Sequence, residues 1–174
     1  AALLALGQLD VEAAGRAVEG EVDSPDDRTR LLARRLVADR QAFADAPVDG
    51  RKILFVIPDS TRSMPMPAMF RALCATLSGR AAQVDFLVAL GTHPPMSEEA
   101  LNRLLGISAE ERQGVYRDVG VYNHEWQNPE ALAFIGTLDE DEIARLSNGL
   151  MRQSARVMVN KRLMDYDLVC IVGP

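Results

Sequence analysis

Two nearly continuous apolar runs constrain the fold of this chain more than any other feature. Residues 52 to 57 read KILFVI and residues 83 to 90 read QVDFLVAL. Both are short, rich in β-branched and aromatic residues, and free of regular apolar–polar alternation. Strands of that kind are buried on both faces, as in a parallel sheet covered by helices. Parallel neighbours need a crossover, and the intervening residues supply one. Pro67 opens a helix that runs through about Ser78, and Gly79-Arg80 ends it. After the second run, Gly91-Thr92-His93-Pro94-Pro95 breaks the chain, and a helix starts at Ser97 with Glu98 and Glu99 in its first turn. DLVCIVG, residues 167 to 173, reads as a third buried strand. The succession predicts an α/β domain: a Rossmann-like layered fold with a mainly parallel sheet flanked by helices.

The remaining segments are less regular. Residues 1 to 20 read as a small Ala- and Leu-rich helix. A second helix is expected from about Arg28 to Ala44, with Leu32, Leu36 and Phe43 on its apolar stripe. Residues 1 to 50 thus form a helical N-terminal segment, and 51 to 174 the α/β domain. Ser108-Ala109-Glu110-Glu111 has the form of a capping box. VYRDVGVYNHEW (115 to 126) is in part a strand, Asn128-Pro129-Glu130 starts a turn, and Thr137 to Glu140 caps a segment or marks an irregular one. SARVMVN (154 to 160) is a strand, and Leu163 to Tyr166 a single turn.

Charge narrows the function. A net charge of −6 and a pI near 5.0 argue against a nucleic-acid or polyanion binder, which would need a basic face. No apolar run reaches the ~18 residues of a membrane span. AALLALG at the start has no basic flank and soon meets Asp10 and Glu12, so it does not read as a signal peptide. Cys74 and Cys170 form no metal or redox spacing; both are expected as small buried hydrophobes in a reducing cytoplasm. The chain lacks a starting Met and stops at Gly173-Pro174 just after an apolar run, so both ends are expected to be cut.

In parallel sheets ligands bind beyond the carboxyl ends of the strands. Three punctuated loops stand at such ends: Asp59 to Arg62, Gly91 to Pro95, and Gly173-Pro174. If their strands are neighbours, the loops converge on one crevice. Ser60 and Thr61 could cap the following helix, and Asp59 could fix a turn. Equally, Arg62 offers a fork of donors suited to carboxylate or phosphate, beside a helix amino terminus. The loop is not a Walker motif, because the glycines and lysine are absent. Nor is it the DxDx[TV] loop of haloacid-dehalogenase-like phosphatases, because Thr61 stands where a second Asp is needed. No GxGxxG occurs. His93, fixed between Gly91 and two prolines, is a candidate acid/base, since imidazole titrates near pH 6.5. His124, between Tyr122 and Trp126, reads as a packing or hydrogen-bonding residue. Met64, Met66 and Met69 read as helix packing rather than pocket lining.

The two loops together resemble a known pattern. Asp59-Ser60-Thr61-Arg62 with Pro65 is similar to the DxTRxxP loop of the lactate racemase family, the nickel-pincer-nucleotide-dependent racemases and epimerases. Ala89 to Met96, followed by Ser97-Glu98-Glu99, resembles that family's ALGTHRPM-T-EE segment. Asn123-His124-Glu125, Val159-Asn160-Lys161 and Val172-Gly173-Pro174 resemble its later NHD and VN-to-IVGP stretches. The match runs from about residue 51 to 174. Pro94 departs from it, standing where the family usually has Arg, which places lactate itself in doubt as the substrate.

The resemblance implies the N-terminal domain of a two-domain enzyme, with the active site in the interdomain cleft and the C-terminal domain absent from this chain. It implies a small 2-hydroxy acid as substrate and a nickel-pincer nucleotide as cofactor, held only with the C-terminal domain; no metal ligand is expected here. The α hydrogen leaves as hydride while a base takes the hydroxyl proton, and hydride returns to either face of the flat ketone. Carried over by position, His93 is an acid/base, Arg62 orients the substrate, and Asp59, Ser60 and Thr61 help hold the cofactor. A binding module for a carboxylate or phosphate, without catalysis, is the alternative. A cofactor-independent isomerase or hydrolase is disfavoured, because no nucleophile is paired with a base.

Overall fold

The computed structural model describes Phe43 and residues 46–173. The helices expected within 1–20 and 28–44 lie outside the described residues, apart from Phe43, as does Pro174. Among the described residues six strands and four α-helices follow one another. β1 (Lys52–Pro58), α1 (Met66–Leu77), β2 (Gln83–Ala89), α2 (Glu98–Leu105), α3 (Ala109–Gln113) and β3 (Val121–Asn123) come first. β4 (Leu132–Leu138), α4 (Glu140–Leu146), β5 (Ala155–Asn160) and β6 (Leu168–Ile171) complete the chain. Among the described residues no helix is long and apolar enough to cross a membrane.

Four strands form one parallel sheet in the order β3-β2-β1-β6. The chain steps outward from β1 to β3 and then returns to the other side of β1. The strand order therefore reverses at β1, the position where open α/β sheets place their ligands. The mainly parallel sheet flanked by helices is as expected from the sequence.

The core explains why the two apolar runs dominate. Ile53, Phe55 and Ile57 of β1 join Phe86 and Val88 of β2 on one face, with Phe55 stacked on Phe86 at 5.3 Å between centroids. α1 lays Met66, Phe70, Leu73 and Leu77 on that face, close to the helical repeat, and Met69 is buried as well. The methionines are thus packing residues. α2 adds Leu101 and Leu105, is capped by Ser97, which accepts from the Ala100 amide, and ends at Gly106. At Gly106 the φ of +64° and the side chain of Pro67, 2.5 Å from where a Cβ would sit, both require glycine. The capping box at Ser108 forms in full at the start of α3.

One buried charge binds the sheet from its other face. Asp85 is fully buried in β2. It accepts from the Gly120 amide at 2.6 Å, from the Gln83 side chain at 2.6 Å and from the Tyr166 hydroxyl. These bonds tie β2 to the entry of β3 and to the turn before β6. The lone acid in QVDFLVAL is therefore a sheet tie, satisfied as a buried carboxylate must be.

Two expectations need correction, at β6 and at the start of α1. β6 is buried on one face only: Leu168 and Cys170 pack on the core, whereas Ile171 is 84% exposed. Among the described residues it is an edge strand, paired with β1 alone. The strand expected within residues 154–160 is present as β5, which pairs antiparallel with β4 in a separate two-stranded sheet. β4 itself goes unannounced in the sequence, because its Phe134 and Ile135 are exposed and its pattern is broken by a bulge near Gly136. Finally, α1 begins at Met66 with Pro65 as its N-cap and no side-chain cap. Ser60 and Thr61 therefore cap nothing, and the helix terminus starts beyond their loop.

Candidate functional site

The parallel register decides what meets at the strand ends. Pro58 of β1 lies beside Ala89 of β2, and Val88 lies beside Asn123 of β3. The loops that follow β1, β2 and β3 therefore leave the sheet side by side. β6, on the other flank of β1, brings Gly173 to the same edge.

Asp59, the first residue beyond β1, is buried, with 7% of its surface exposed. Its Oδ1 accepts from the Thr61 amide at 3.0 Å and the Thr61 hydroxyl at 2.5 Å, an Asx turn that fixes the loop. Its Oδ2 meets His93 Nδ1 at 2.5 Å, across 34 residues of chain. Burial by itself raises the Asp59 carboxyl. The Thr61 hydroxyl, the His93 ring and the Thr61 amide outweigh that and hold it below its ordinary value. Asp59 is therefore ionised near neutral pH, and an ionised carboxylate only accepts. His93 Nδ1 must carry the proton, which leaves a lone pair on Nε2 when the ring is neutral.

The loop that carries His93 is held at both ends. The His93 amide donates to the Leu90 carbonyl at 3.0 Å, closing a turn in which Gly91 adopts φ +59°. Farther on, the Asn123 side chain accepts from the Met96 amide at 3.0 Å and donates to the Met96 carbonyl at 2.9 Å. Asn123 thus clamps the end of the Gly91–Met96 loop to β3. Sequence reading gave Asn123 no such role.

His93 opens onto a cleft of about 350 Å³, lined also by Pro94, Pro95, His124, Glu125 and Trp126. His93 is about half exposed there. His124 follows β3, its amide donating to the Val88 carbonyl at 3.0 Å. Its ring nitrogen Nδ1 is 3.0 Å from the Asn160 side-chain nitrogen, so the hydrogen-bonding role expected for it is present. It also faces the cleft, which the sequence left unread because the three-residue strand before it was hard to place.

Arg62 and Ser60 are exposed at the Asp59 turn. The Arg62 guanidinium makes no hydrogen bond or ion pair among the described residues, unlike Arg71, which grips Glu111 with both terminal nitrogens. An unpaired planar cation three residues from Asp59 is a ready partner for a carboxylate or phosphate. Cys74 and Cys170 are free thiols, partly buried against the core rather than fully buried as expected. Among the described residues no group of three or more His, Cys, Asp or Glu side chains could hold a metal ion.

Comparison with known proteins bears on the family and the fold. The model of a family described as the lactate racemase N-terminal domain matches residues 19–174. A solved structure of a Thermotoga maritima protein is 29% identical, with a TM-score of 0.66 over 79% of this chain and 32% of that one. The lactate racemase apoprotein from Thermoanaerobacterium thermosaccharolyticum is 20% identical, with a TM-score of 0.52 over 91% of this chain and 31% of that one, a likeness of fold. The chain thus spans about a third of the length of either structure. No curated protein matches it.

Proposed function

Because the chain belongs to the lactate racemase N-terminal domain family, we propose that it is the N-terminal part of a racemase or epimerase of 2-hydroxy acids. A C-terminal domain supplies the rest. The observation that carries this reading is the Asp59–His93 pair at the ends of adjacent parallel strands, at the edge where the strand order reverses. His93 Nε2 takes the proton of the substrate hydroxyl, and Asp59 steadies the imidazolium that forms. On the return step the same nitrogen gives the proton back. Arg62 binds the substrate carboxylate and fixes the carbon that is inverted.

The metal finds no ligand set among the described residues, so a nickel-pincer nucleotide would take its metal ligand from elsewhere. When bound it would supply a hydride acceptor. Ser60 and Thr61, exposed at the Asp59 turn, are the residues this chain offers to shape its side of the site. Pro94, in place of a cation beside His93, favours a substrate other than lactate.

The unpaired Arg62 also suits a carboxylate- or phosphate-binding module, but that reading leaves the Asp59–His93 pair unused. The full-length, cofactor-loaded protein tests the choice. Single enantiomers of several 2-hydroxy acids are incubated in D₂O and separated by chiral chromatography. Racemisation without deuterium at the α carbon, abolished by His93→Gln, is expected. Binding without racemisation, or racemisation that survives His93→Gln, would refute the assignment.

A further inference from the structure

The second histidine of the cleft is held in the opposite tautomer to the first. Asn160 is buried, and its amide cannot be turned over. Its Oδ1 accepts from the Arg162 amide at 3.0 Å, and a backbone N–H has no capacity to accept in return. The NH₂ end is therefore the one that faces His124 Nδ1 at 3.0 Å. An NH₂ group only donates, so Nδ1 of His124 accepts and the ring proton lies on Nε2. His93 is the reverse case: the Asp59 carboxylate takes Nδ1–H and leaves Nε2 as an acceptor. Neither Nε2 has a partner among the described residues, and both rings line the same cleft. The cleft thus presents one acceptor and one donor, each set by a buried side chain.

We propose that His124 is a substrate-binding residue, its Nε2–H donating to a ligand oxygen next to the hydroxyl that His93 deprotonates. Asn160 is the positioning residue that holds this tautomer. The pair selects a ligand with a hydroxyl and an acceptor oxygen on neighbouring carbons. A 2-hydroxy acid meets that need, its hydroxyl on His93 and a carboxylate oxygen on His124. This deepens, and rests on, the acid–base role of His93. Arg62 and His124 then share the carboxylate, one through charge and the other through direction.

The test uses the full-length protein with ¹⁵N-labelled histidine and glycolate as the probe. Long-range ¹H–¹⁵N correlation distinguishes Nδ1–H from Nε2–H rings. His124 is expected as Nε2–H in the wild type and as Nδ1–H in Asn160→Asp, whose carboxylate still accepts from Arg162 but now requires a donor from the ring. Glycolate is expected to shift the His124 Nε2–H signal. Asn160→Asp and His124→Leu are expected to weaken glycolate binding by about 10- to 100-fold, the range of a hydrogen bond to a charged group. His124→Gln, whose amide can donate, should keep more affinity than His124→Leu; a merely structural histidine would show no such rescue. An Nδ1–H ring in the wild type, no glycolate shift, or binding by Asn160→Asp and His124→Leu within about twofold of wild type would overturn the proposal. Loss of racemisation in His93→Gln alongside unchanged glycolate binding in Asn160→Asp would remove His124 and leave the acid–base reading intact. If racemisation survives His93→Gln, the acid–base reading falls instead, and the glycolate shift at His124 still decides this one.

Discussion

Replacing Asp59 with asparagine changes a single side-chain oxygen to an amide nitrogen and is expected to cost the cleft its base. In the native pair Oδ1 serves the Thr61 amide and hydroxyl, and Oδ2 takes the His93 Nδ1 proton. In Asp59→Asn the amide oxygen can keep both Thr61 bonds. The amide nitrogen then faces His93 and donates, so Nδ1 must offer its lone pair and the ring proton moves to Nε2. The nitrogen that should accept the substrate proton is blocked. Positioned acid–base groups contribute about 10²- to 10⁴-fold, and a comparable wrong-tautomer change in the Ser-His-Asp triad costs about 10⁴. At about 1.36 kcal/mol per decade, the barrier should rise by about 2.7 to 5.4 kcal/mol. Stability should change far less, by about 1 kcal/mol, because one charge-assisted bond becomes a neutral one while the rest persist. The assay is kcat of the full-length, cofactor-loaded enzyme on a single hydroxy acid enantiomer, with urea unfolding of the same preparation. A kcat within about threefold of wild type would refute the tautomer argument, since far more is expected from a blocked base.

Four further outcomes are expected. Arg62→Met should raise KM for hydroxy acids by about 10- to 100-fold with a smaller effect on kcat, the range for losing a hydrogen bond to a charged group; steady-state kinetics measures both. Asp85→Ala leaves three donors without their acceptor at a fully buried site and should cost about 3 kcal/mol or more in urea unfolding. On the acid side, Asp59 and Glu111 both sit below their ordinary values. Burial opposes the shift at Asp59 but is outweighed by its hydrogen bonds, whereas at Glu111 the Arg71 bond leads. The unfolded chain then binds more protons than the folded one, so their stabilisation is full above about pH 4 to 5 and is lost as pH falls through the lower folded values. Thermal unfolding from neutral to acid pH should show that slope, and Glu111→Gln should flatten part of it. Cys74, its thiol pushed up to about 12 mainly by burial, should resist iodoacetamide at pH 8 until the protein is unfolded, as mass spectrometry of labelled peptides would show.

What was legible in the sequence followed from burial on both faces. KILFVI and QVDFLVAL stand out because β1 and β2 lie in the middle of the sheet, and α1 and α2 because their starts and stops carry Pro, Ser and Gly. Edge elements signal less. β6 shows the same apolar run as a central strand, yet Ile171 faces outward. In β4 the solvent-facing Phe134 and Ile135 obscure the alternation that a half-buried strand would display. Asp85 could be read as an acid in a strand, but its three partners come from Gln83, Gly120 and Tyr166, which only the fold assembles.

The site was legible as residues and hidden as bonds, and the parallel register explains both. Asp59, Arg62 and His93 could be singled out because polar side chains at the ends of buried strands have few structural reasons to be there. Asp59 could not be joined to His93 from spacing, since 34 residues separate them. Yet Pro58 lies level with Ala89, and Val88 with Asn123. Counting one residue beyond each pairing sets Asp59 beside Leu90, and Ala89 beside His124. His93 needs only the turn closed on the Leu90 carbonyl to reach back to Asp59. His124 enters the same cleft by the same count, one strand over. Had VYN been recognised as the third parallel strand, its terminal histidine would have stood with the other strand-end residues as a site candidate. A three-residue strand carries too little pattern for that, so the residue with the most chemistry left to explain was the one the sequence placed least securely.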